Sequence, residues 1–335
     1  MLHRKEKPAM ANSKTPGLAK TRPKKQREKK FTREAIIKDF KHNKYLYALI
    51  LPLVVYIIVF SYLPMGGLSM AFCNYRPKLG IFGSLFKNFT GLQHFKDFFN
   101  SYYFGRLIRN TILLNVWNLI VSFPLTIIIA LLINEAKNKY FKSTVQMLSY
   151  MPHFISLVVV CGIVVDFCKS TGVLGSLMAM ITGKSQNLLS VMDYWRPIYI
   201  GSGLWQSIGF GTIIYLAALS GVDQQLYEAA SIDGAGYMKQ MWHITLPGIR
   251  PTIIITLIME IGHLMASSSE KTILMYSPQI YETADIIASY VYRRGLLDAD
   301  YSFSTAVTLF NSVINFVLII IANQLSKKYS ETSLF

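Results

Sequence analysis

Charge is scarce in this sequence. Asp, Glu, Lys and Arg together make up 16% of the 335 residues, while hydrophobic residues make up 52%. Soluble domains carry about 25% charged residues, so this composition excludes an ordinary soluble protein. It indicates a membrane protein, whose long apolar segments meet lipid rather than water.

Cysteine is also scarce, with three in the chain. Cys73 stands alone, and the seven positions between Cys161 and Cys168 correspond to about 10 Å along a helix, which is too far for a disulfide. None of the three has the spacing of a zinc site. We therefore expect three buried thiols, no disulfide and no metal site.

A complete phosphate-binding loop is missing as well. Gly183-Lys-Ser185 matches the end of that motif, but the motif requires a glycine five positions earlier, where Met178 stands. We find no nucleotide or other cofactor site in the sequence. No catalytic group stands out either.

Positive charge is concentrated at the amino terminus, where the first 44 positions hold 15 of the 34 Lys and Arg residues. Residues 1–30 have few apolar side chains and predict a disordered cytoplasmic tail, since they cannot offset the entropy lost on ordering. Residues 31–44 predict an amphipathic helix on the inner membrane surface. A basic tail before an apolar segment is typical of contact with anionic lipid, so we expect membrane lipid and no nucleic acid as a partner.

Six apolar runs are long enough to cross about 30 Å of hydrocarbon. They are residues 45–63, 111–133, 144–167, 198–220, 252–269 and 303–324. Pro124 and Pro152 fall inside the second and third runs, where proline can kink a helix. The sequence therefore predicts an all-α polytopic membrane protein with six transmembrane helices in a domain over residues 45–335.

Orientation follows from the basic residues. With the amino-terminal tail inside, 22 of the 34 Lys and Arg residues lie on the inner side, and both termini are cytoplasmic. The first outer loop is rich in arginine and lysine, which longer loops tolerate. In that loop Leu92, Phe95, Phe98 and Phe99 recur at helical spacing, which predicts a helix along the outer surface. Packing of this helix against the spans is favoured over contact with a ligand.

A polar stretch over residues 221–250 interrupts the apolar runs on the predicted inner side. Asp223 can cap a helix over Gln224–Ile232, and Gly234 and Gly236 can supply left-handed conformations that end it. Residues 237–243 can form a second short helix, and Pro247 and Pro251 bracket the entry into the fifth span. On chemistry alone, the stretch is either an ordinary cytoplasmic hairpin or a docking surface.

Polar residues inside the spans are candidates for a solute pathway. Glu260 and His263 are three positions apart, hence on one helical face, and an ionisable group at mid-span faces a cavity or a partner. The sequence leaves open whether they pair with another subunit or contact a solute. The further candidates, which could also be helix-packing groups, are Trp205, Gln206, Asn311 and Asn315.

The spacing Glu228-Ala-Ala-x3-Gly234-x9-Ile244-x-Leu-Pro247 resembles the cytoplasmic signature of binding-protein-dependent ABC importer permeases. Several other stretches are similar to the maltose-importer-like carbohydrate permeases of the oligo- and polysaccharide-sugar branch. They are Phe89-x-Gly-Leu-x-x-Phe, Arg109-Asn-Thr111, Tyr281-Glu-Thr-Ala-Asp285, Tyr290-Val-Tyr292 and Tyr301-Ser-Phe303.

That resemblance implies a type I ABC importer permease in a prokaryotic cell membrane. It would import a carbohydrate, with an oligosaccharide expected, by alternating access. The implied partners are a second, different permease, a cytoplasmic ATPase dimer that binds ATP and Mg²⁺, and an extracytoplasmic solute-binding protein. The coupling residues that the resemblance implies are Glu228, Ala229, Ala230, Asp233, Gly234, Leu246 and Pro247.

Other functions remain possible at this point. A permease of the same family for a non-sugar solute is the nearest alternative. A secondary transporter would show paired repeats, and none is visible. A membrane enzyme built on Glu260 and His263 would need a third polar group at matching depth.

Overall fold

The computed structural model describes residues 42–329 of the chain. The predicted disordered tail over residues 1–30 lies outside the described residues, as do residues 31–41 of the predicted interfacial helix. The chain divides into two units, one up to Leu63 and one from Pro64 onward. The second unit contains all the sites considered below.

Helices make up almost all the regular structure of the described range. The α-helices are α1 (Lys44–Ile57), α2 (Leu63–Met65), α3 (Gly80–Lys87), α4 (Gln93–Phe99), α5 (Phe104–Glu135), α6 (Lys139–Tyr150), α7 (Leu157–Cys168), α8 (Val173–Thr182), α9 (Met192–Ser220), α10 (Gln224–Ile232), α11 (Tyr237–Gln240), α12 (Leu246–Gly262), α13 (Ser269–Met275), α14 (Tyr281–Ala284), α15 (Ile287–Tyr292) and α16 (Tyr301–Tyr329). Short 3₁₀ and π turns join several of them. Within residues 42–329, β pairing is limited to one isolated bridge between Cys73 and Phe89.

Six helical stretches among these residues are long and apolar enough to cross a membrane, which confirms the predicted number of spans. They are Lys44–Phe72, Phe104–Glu135, Leu157–Thr182, Met192–Ser220, Tyr237–Gly262 and Tyr301–Lys328. In the second unit, α5 packs against α9 and α12 packs against α16. Gly209 of α9 lies so close to the backbone of Ser149 that a Cβ would not fit there.

The third span begins later than the sequence predicted. Helix α6 ends at Tyr150, a 3₁₀ turn follows over Met151–Phe154, and a new helix begins after Ser156. Pro152 has no N–H to continue the α-helical ladder, and the Ser156 hydroxyl caps the next helix by accepting a hydrogen bond from the Val159 N–H. Pro152 therefore separates two helices instead of kinking one span.

The fifth span also differs from its predicted range of 252–269, because its helix ends at Gly262. The next turn takes its hydrogen bonds from α16. The Met265 N–H donates to Asn315 Oδ1 at 2.9 Å, and Asn311 Nδ2 donates to the Met265 carbonyl at 3.0 Å. Side chains of another helix thus satisfy the backbone groups that the break leaves open.

The predicted surface helix after Leu92 is present as α4, and it packs against the spans as expected. Phe98 is 1% exposed and meets the rings of Phe104, Phe303 and Phe310 edge-on. Such an aromatic cluster buries a large apolar area and adds favourable ring contacts. It fixes α4 to the start of α5 and to α16.

Candidate functional site

The polar stretch over residues 221–250, here called the coupling segment, begins with a capped helix. The Asp223 carboxylate accepts a hydrogen bond from the Gln225 N–H at 2.9 Å, so α10 starts where the sequence predicted. Helix α10 ends at Ile232, and Gly234 follows with φ of 74°. The Ala235 N–H then donates to the Ala230 carbonyl at 2.9 Å, a bond that needs this left-handed turn.

Gly236 does not adopt the left-handed conformation that the sequence predicted. Its φ is −67° and its ψ is 164°, an extended conformation open to any residue. The reason is its position, because Gly236 is the residue that precedes the first turn of α11. One glycine of the pair, Gly234, therefore makes the sharp turn.

The second short helix of the coupling segment is not separate from the fifth span, contrary to the prediction. Helix α11 continues through a π turn over Met241–Thr245 directly into α12. Pro247 lies in the first turn of α12, where a missing N–H costs little. The coupling segment is thus joined to span five through unbroken helix.

Side chains hold α10 against this continuous helix. The Tyr227 hydroxyl lies 2.9 Å from Thr245 Oγ1, and Gln240 Nε2 donates to Ser231 Oγ at 3.0 Å and to the Ala235 carbonyl at 2.9 Å. Beneath them is an apolar cluster of Leu131, Leu219, Val222 and Ile249, with Leu246 packed against it. A displacement of α10 must therefore displace α12 and its neighbours.

The far face of α10 is not covered by any other part of residues 42–329. Glu228, Ala229, Asp233, Gly234 and Pro247 are exposed, and Ala230 is half-buried. Large apolar side chains beside them are exposed too, with Ile232 at 86%, Met238 at 59% and Trp242 at 63%. A thin helix face with two exposed acids and a rim of apolar side chains is suited to docking a protein.

Most of the residues predicted to line a solute pathway bind the backbone or lie elsewhere. Asn311 and Asn315 hold the turn at Met265, and Gln206 Nε2 donates to the Ile155 carbonyl at 3.1 Å. Trp205 is 47% exposed on α9. His263 is the residue after the end of α12, and its side chain is exposed.

Glu260 does line a cavity, of about 460 Å³, between α5 and α9. Every fourth residue of α9 faces it, and the α12–α13 turn closes one side. The polar or small residues that line it include Asn115, Asn118, Ser122, Thr126, Tyr199, Gly203, Ser207, Gly211, Tyr215, Thr256, Ser267, Ser268 and Lys271. The four-residue repeat of small and polar residues in α9 can be seen in the sequence. That it lines a cavity follows only from the structure, which places the polar residues of α5 opposite it.

Hydrogen bonds join the walls of this cavity. At one end, the Tyr215 hydroxyl lies 2.9 Å from Thr256 Oγ1 of α12. At the other, Lys271 Nζ donates to the Tyr199 carbonyl at 2.7 Å. Asn115 of α5 also donates to Ser267 Oγ in the turn before Lys271. The cavity thus follows α9 from Tyr199 to Tyr215, which is 16 residue steps or roughly 24 Å.

A network of arginines and acids ties the start of α5 to the segment between α13 and α16. Asp285 is fully buried and accepts two hydrogen bonds from Arg293, at 2.9 and 2.6 Å. Asn110 donates to the carbonyls of Glu282 and Asp285 at 2.9 and 3.0 Å. A hydrogen bond from Arg109 is the main reason that the pKa of Glu282 is lowered. The Arg109-Asn-Thr111 motif therefore serves as a structural clamp here.

No cluster of three or more His, Cys, Asp or Glu side chains that could hold a metal occurs in the part of the chain that the structure describes. Cys73, Cys161 and Cys168 are all buried and free. Cys73 is the first residue after the first span, which ends at Phe72. Burial raises the pKa of its thiol, which makes it a poor nucleophile.

Residues 122–331 match the family described as "Binding-protein-dependent transport system inner membrane component". Among curated proteins, the chain is 43% identical over 296 residues to Protein LplB of Bacillus subtilis, covering 88% of this chain and 92% of that protein. It is 41% identical over 308 residues to the Polygalacturonan/rhamnogalacturonan transport system permease protein YteP of the same organism. That match covers 92% of this chain and 95% of YteP.

A solved structure is similar as well. One chain of a bacterial alginate ABC transporter, crystallised in complex with an alginate pentasaccharide-bound periplasmic protein, superposes with a TM-score of 0.80 at 40% identity. The match covers 89% of this chain and 99% of the other. An identity this high supports likeness in architecture and in the role of the subunit.

Proposed function

Because the chain belongs to the family of binding-protein-dependent transport system inner membrane components, we propose that it is a permease subunit of an ATP-driven importer of oligosaccharides. It is a multi-pass component of the cell membrane, and ATP hydrolysis in this family is carried by a separate subunit. The family also implies a partner permease and a binding protein. These points confirm the predicted family and its six-helix fold.

The exposed face of α10 carries the proposal. Glu228, Ala229 and Ala230 lie on that face, and Gly234 shapes the turn behind it, while Leu246 and Pro247 lie where the segment meets α12. In our proposal this face docks in a cleft of a cytoplasmic ATPase, which binds ATP and Mg²⁺. The hydrogen bonds of Tyr227 and Gln240 make α10 move with α12, so closure of the ATPase changes the packing of the spans.

The orientation belongs to the same proposal. Placing the coupling segment in the cytoplasm puts both chain termini there and puts α4 and the arginine network on the outer side. The excess of basic residues at the amino terminus supports this placement. The binding protein would then dock on the outer side, with the second, different permease alongside in the membrane.

The cargo is an oligosaccharide in our proposal. The named relatives include a polygalacturonan/rhamnogalacturonan permease and a transporter crystallised with an alginate pentasaccharide on its periplasmic protein. The cavity beside α9 supports the same class of cargo, because hydroxyl and amide groups line it and such groups bind sugar hydroxyls.

Reconstitution tests this function. The chain is co-expressed with a partner permease, the ATPase and the binding protein, and uptake of labelled oligosaccharides into proteoliposomes is measured. We expect uptake that needs both ATP and the binding protein. Uptake that persists without ATP, or a chain that does not co-purify with an ATPase, would exclude an ABC permease.

A further inference from the structure

The cavity beside α9 contains a lysine that the coupling mechanism does not use. Lys271 is 7% exposed, and its ammonium group lies 4.4 Å from the centre of the Tyr199 ring and 2.7 Å from the Tyr199 carbonyl. The Tyr199 carbonyl accepts a hydrogen bond from one of the three N–H groups of the ammonium. The other two point to no hydrogen-bond acceptor that the described residues provide.

No carboxylate compensates this charge. Among residues 42–329, every ion pair within 4.0 Å joins other residues, and none includes Lys271. A buried ammonium without an anionic partner is costly, so a protein rarely keeps one without use. The Tyr199 carbonyl and ring stabilise it only in part.

The acid of the cavity is not the partner of Lys271. Glu260 lies one helical turn after Thr256, which contacts Tyr215, so it is on the stretch of chain between that contact and Lys271. The ammonium of Lys271 meets Tyr199 instead. A ligand's carboxylate would therefore be attracted to Lys271 and repelled by Glu260, while its hydroxyl groups meet the neutral polar side chains that also line the cavity.

We propose that Lys271 binds a carboxylate of the transported sugar, so that the permease selects oligosaccharides that contain uronic acids. This inference rests on the proposed function and narrows its cargo. Gly203 belongs to the same site, because a Cβ there would lie 2.7 Å from Lys271 Nζ. The absence of a side chain at Gly203 leaves the space in which the ammonium stands.

Transport of a charged sugar and of its neutral form tests the proposal. The probes are a trisaccharide of galacturonic acid and its full methyl ester, which keeps the rings and hydroxyls but has no charge. Their uptake is measured with the complete transporter in proteoliposomes. Lys271→Gln is expected to lower the ratio of acid to ester uptake by about 10- to 100-fold relative to the unmodified protein, since it removes a charge-assisted bond.

Two further variants sharpen the comparison. Gly203→Ala keeps the charge but displaces the ammonium, so it should lower the same ratio even where Lys271→Gln fails to assemble. Lys184→Gln removes an exposed lysine away from the cavity and should leave the ratio unchanged. The same binding protein delivers both sugars to every variant, so its own selectivity cancels between variants.

Other results would overturn the proposal. An unchanged ratio in Lys271→Gln and Gly203→Ala, or an equal loss of acid and ester uptake, would make Lys271 a structural anchor for α9. If the unmodified transporter imports both sugars equally well, the selection for uronic acids is wrong while the proposed function stands. If no oligosaccharide is imported in an ATP-dependent manner, both fail.

Discussion

Replacing Gly234 by valine is expected to reduce ATP-dependent uptake about tenfold or more while the transporter remains assembled in the membrane. Gly234 has a φ of 74°, and no atom lies within 4 Å of a Cβ placed there. The cost is therefore conformational and not steric. An L-residue in this region costs roughly 1–2 kcal/mol, and a β-branched one more, so the turn opens and the bond from Ala235 to Ala230 is lost.

Loss of that turn changes the position of the face that carries Glu228 and Ala229. The ATPase would then close without moving α12, so sugar-stimulated ATP hydrolysis should fall together with uptake. Both rates are measured in proteoliposomes after equal amounts of assembled transporter have been confirmed. A bulky residue at Ala230 or an aspartate at Gly234 should act in the same direction.

Gly236→Ser is the matched control, two positions away. Gly236 has an extended backbone and open space around it, and serine is favoured at the residue before a helix. Its uptake should stay near that of the unmodified protein. Equal losses in the two variants, or normal uptake and ATP hydrolysis in Gly234→Val, would contradict the role assigned to this turn.

Asp285→Ala is expected to destabilise the protein by about 3–5 kcal/mol, because removal of one partner leaves a buried charge uncompensated. Asp285 is fully buried. Its carboxylate accepts hydrogen bonds from Arg293 at 2.9 and 2.6 Å and from the Ser289 hydroxyl at 2.8 Å, and Arg106 Nη2 lies 3.6 Å from it. The same carboxylate helps to hold the segment against which α5 begins. Thermal unfolding in one detergent measures the effect, and a decrease in Tm of roughly 10 °C is expected.

Asp298→Ala provides the comparison with the same change in charge. Asp298 pairs with Arg294 at 3.4 Å, and both side chains are exposed. Exposed pairs contribute about 0–1 kcal/mol, so Tm should shift by a few degrees at most. Similar shifts for the two variants would show that the buried network does not stabilise the fold as the geometry indicates.

Local signals in the sequence predicted much of this molecule. The number of spans follows from apolar length, and the start of α10 follows from Asp223 as a cap. The left-handed turn at Gly234 follows from glycine after a helix. Each of these depends on residues that are neighbours in the chain, which is why composition and spacing are sufficient.

Features that depend on distant contacts were missed. The early end of the fifth span follows from Asn311 and Asn315 of α16, which bind the backbone of a residue 46 and 50 positions earlier. Both are polar residues in an apolar run. The sequence alone does not show whether such a side chain contacts a transported solute or binds the backbone of another helix. Lys271 was overlooked because a lysine in a loop is ordinarily exposed.

The contact between α10 and the ATPase is the central claim, and cross-linking from Ala229 tests it most directly. All three natural cysteines are buried, so Ala229→Cys introduces an exposed thiol that a photoactivatable maleimide can label selectively. In the assembled transporter we predict a cross-link to the ATPase subunit whose yield changes when ATP is added, and none from Lys184→Cys. A label at position 229 that joins no ATPase, or that joins the solute-binding protein, would contradict the account.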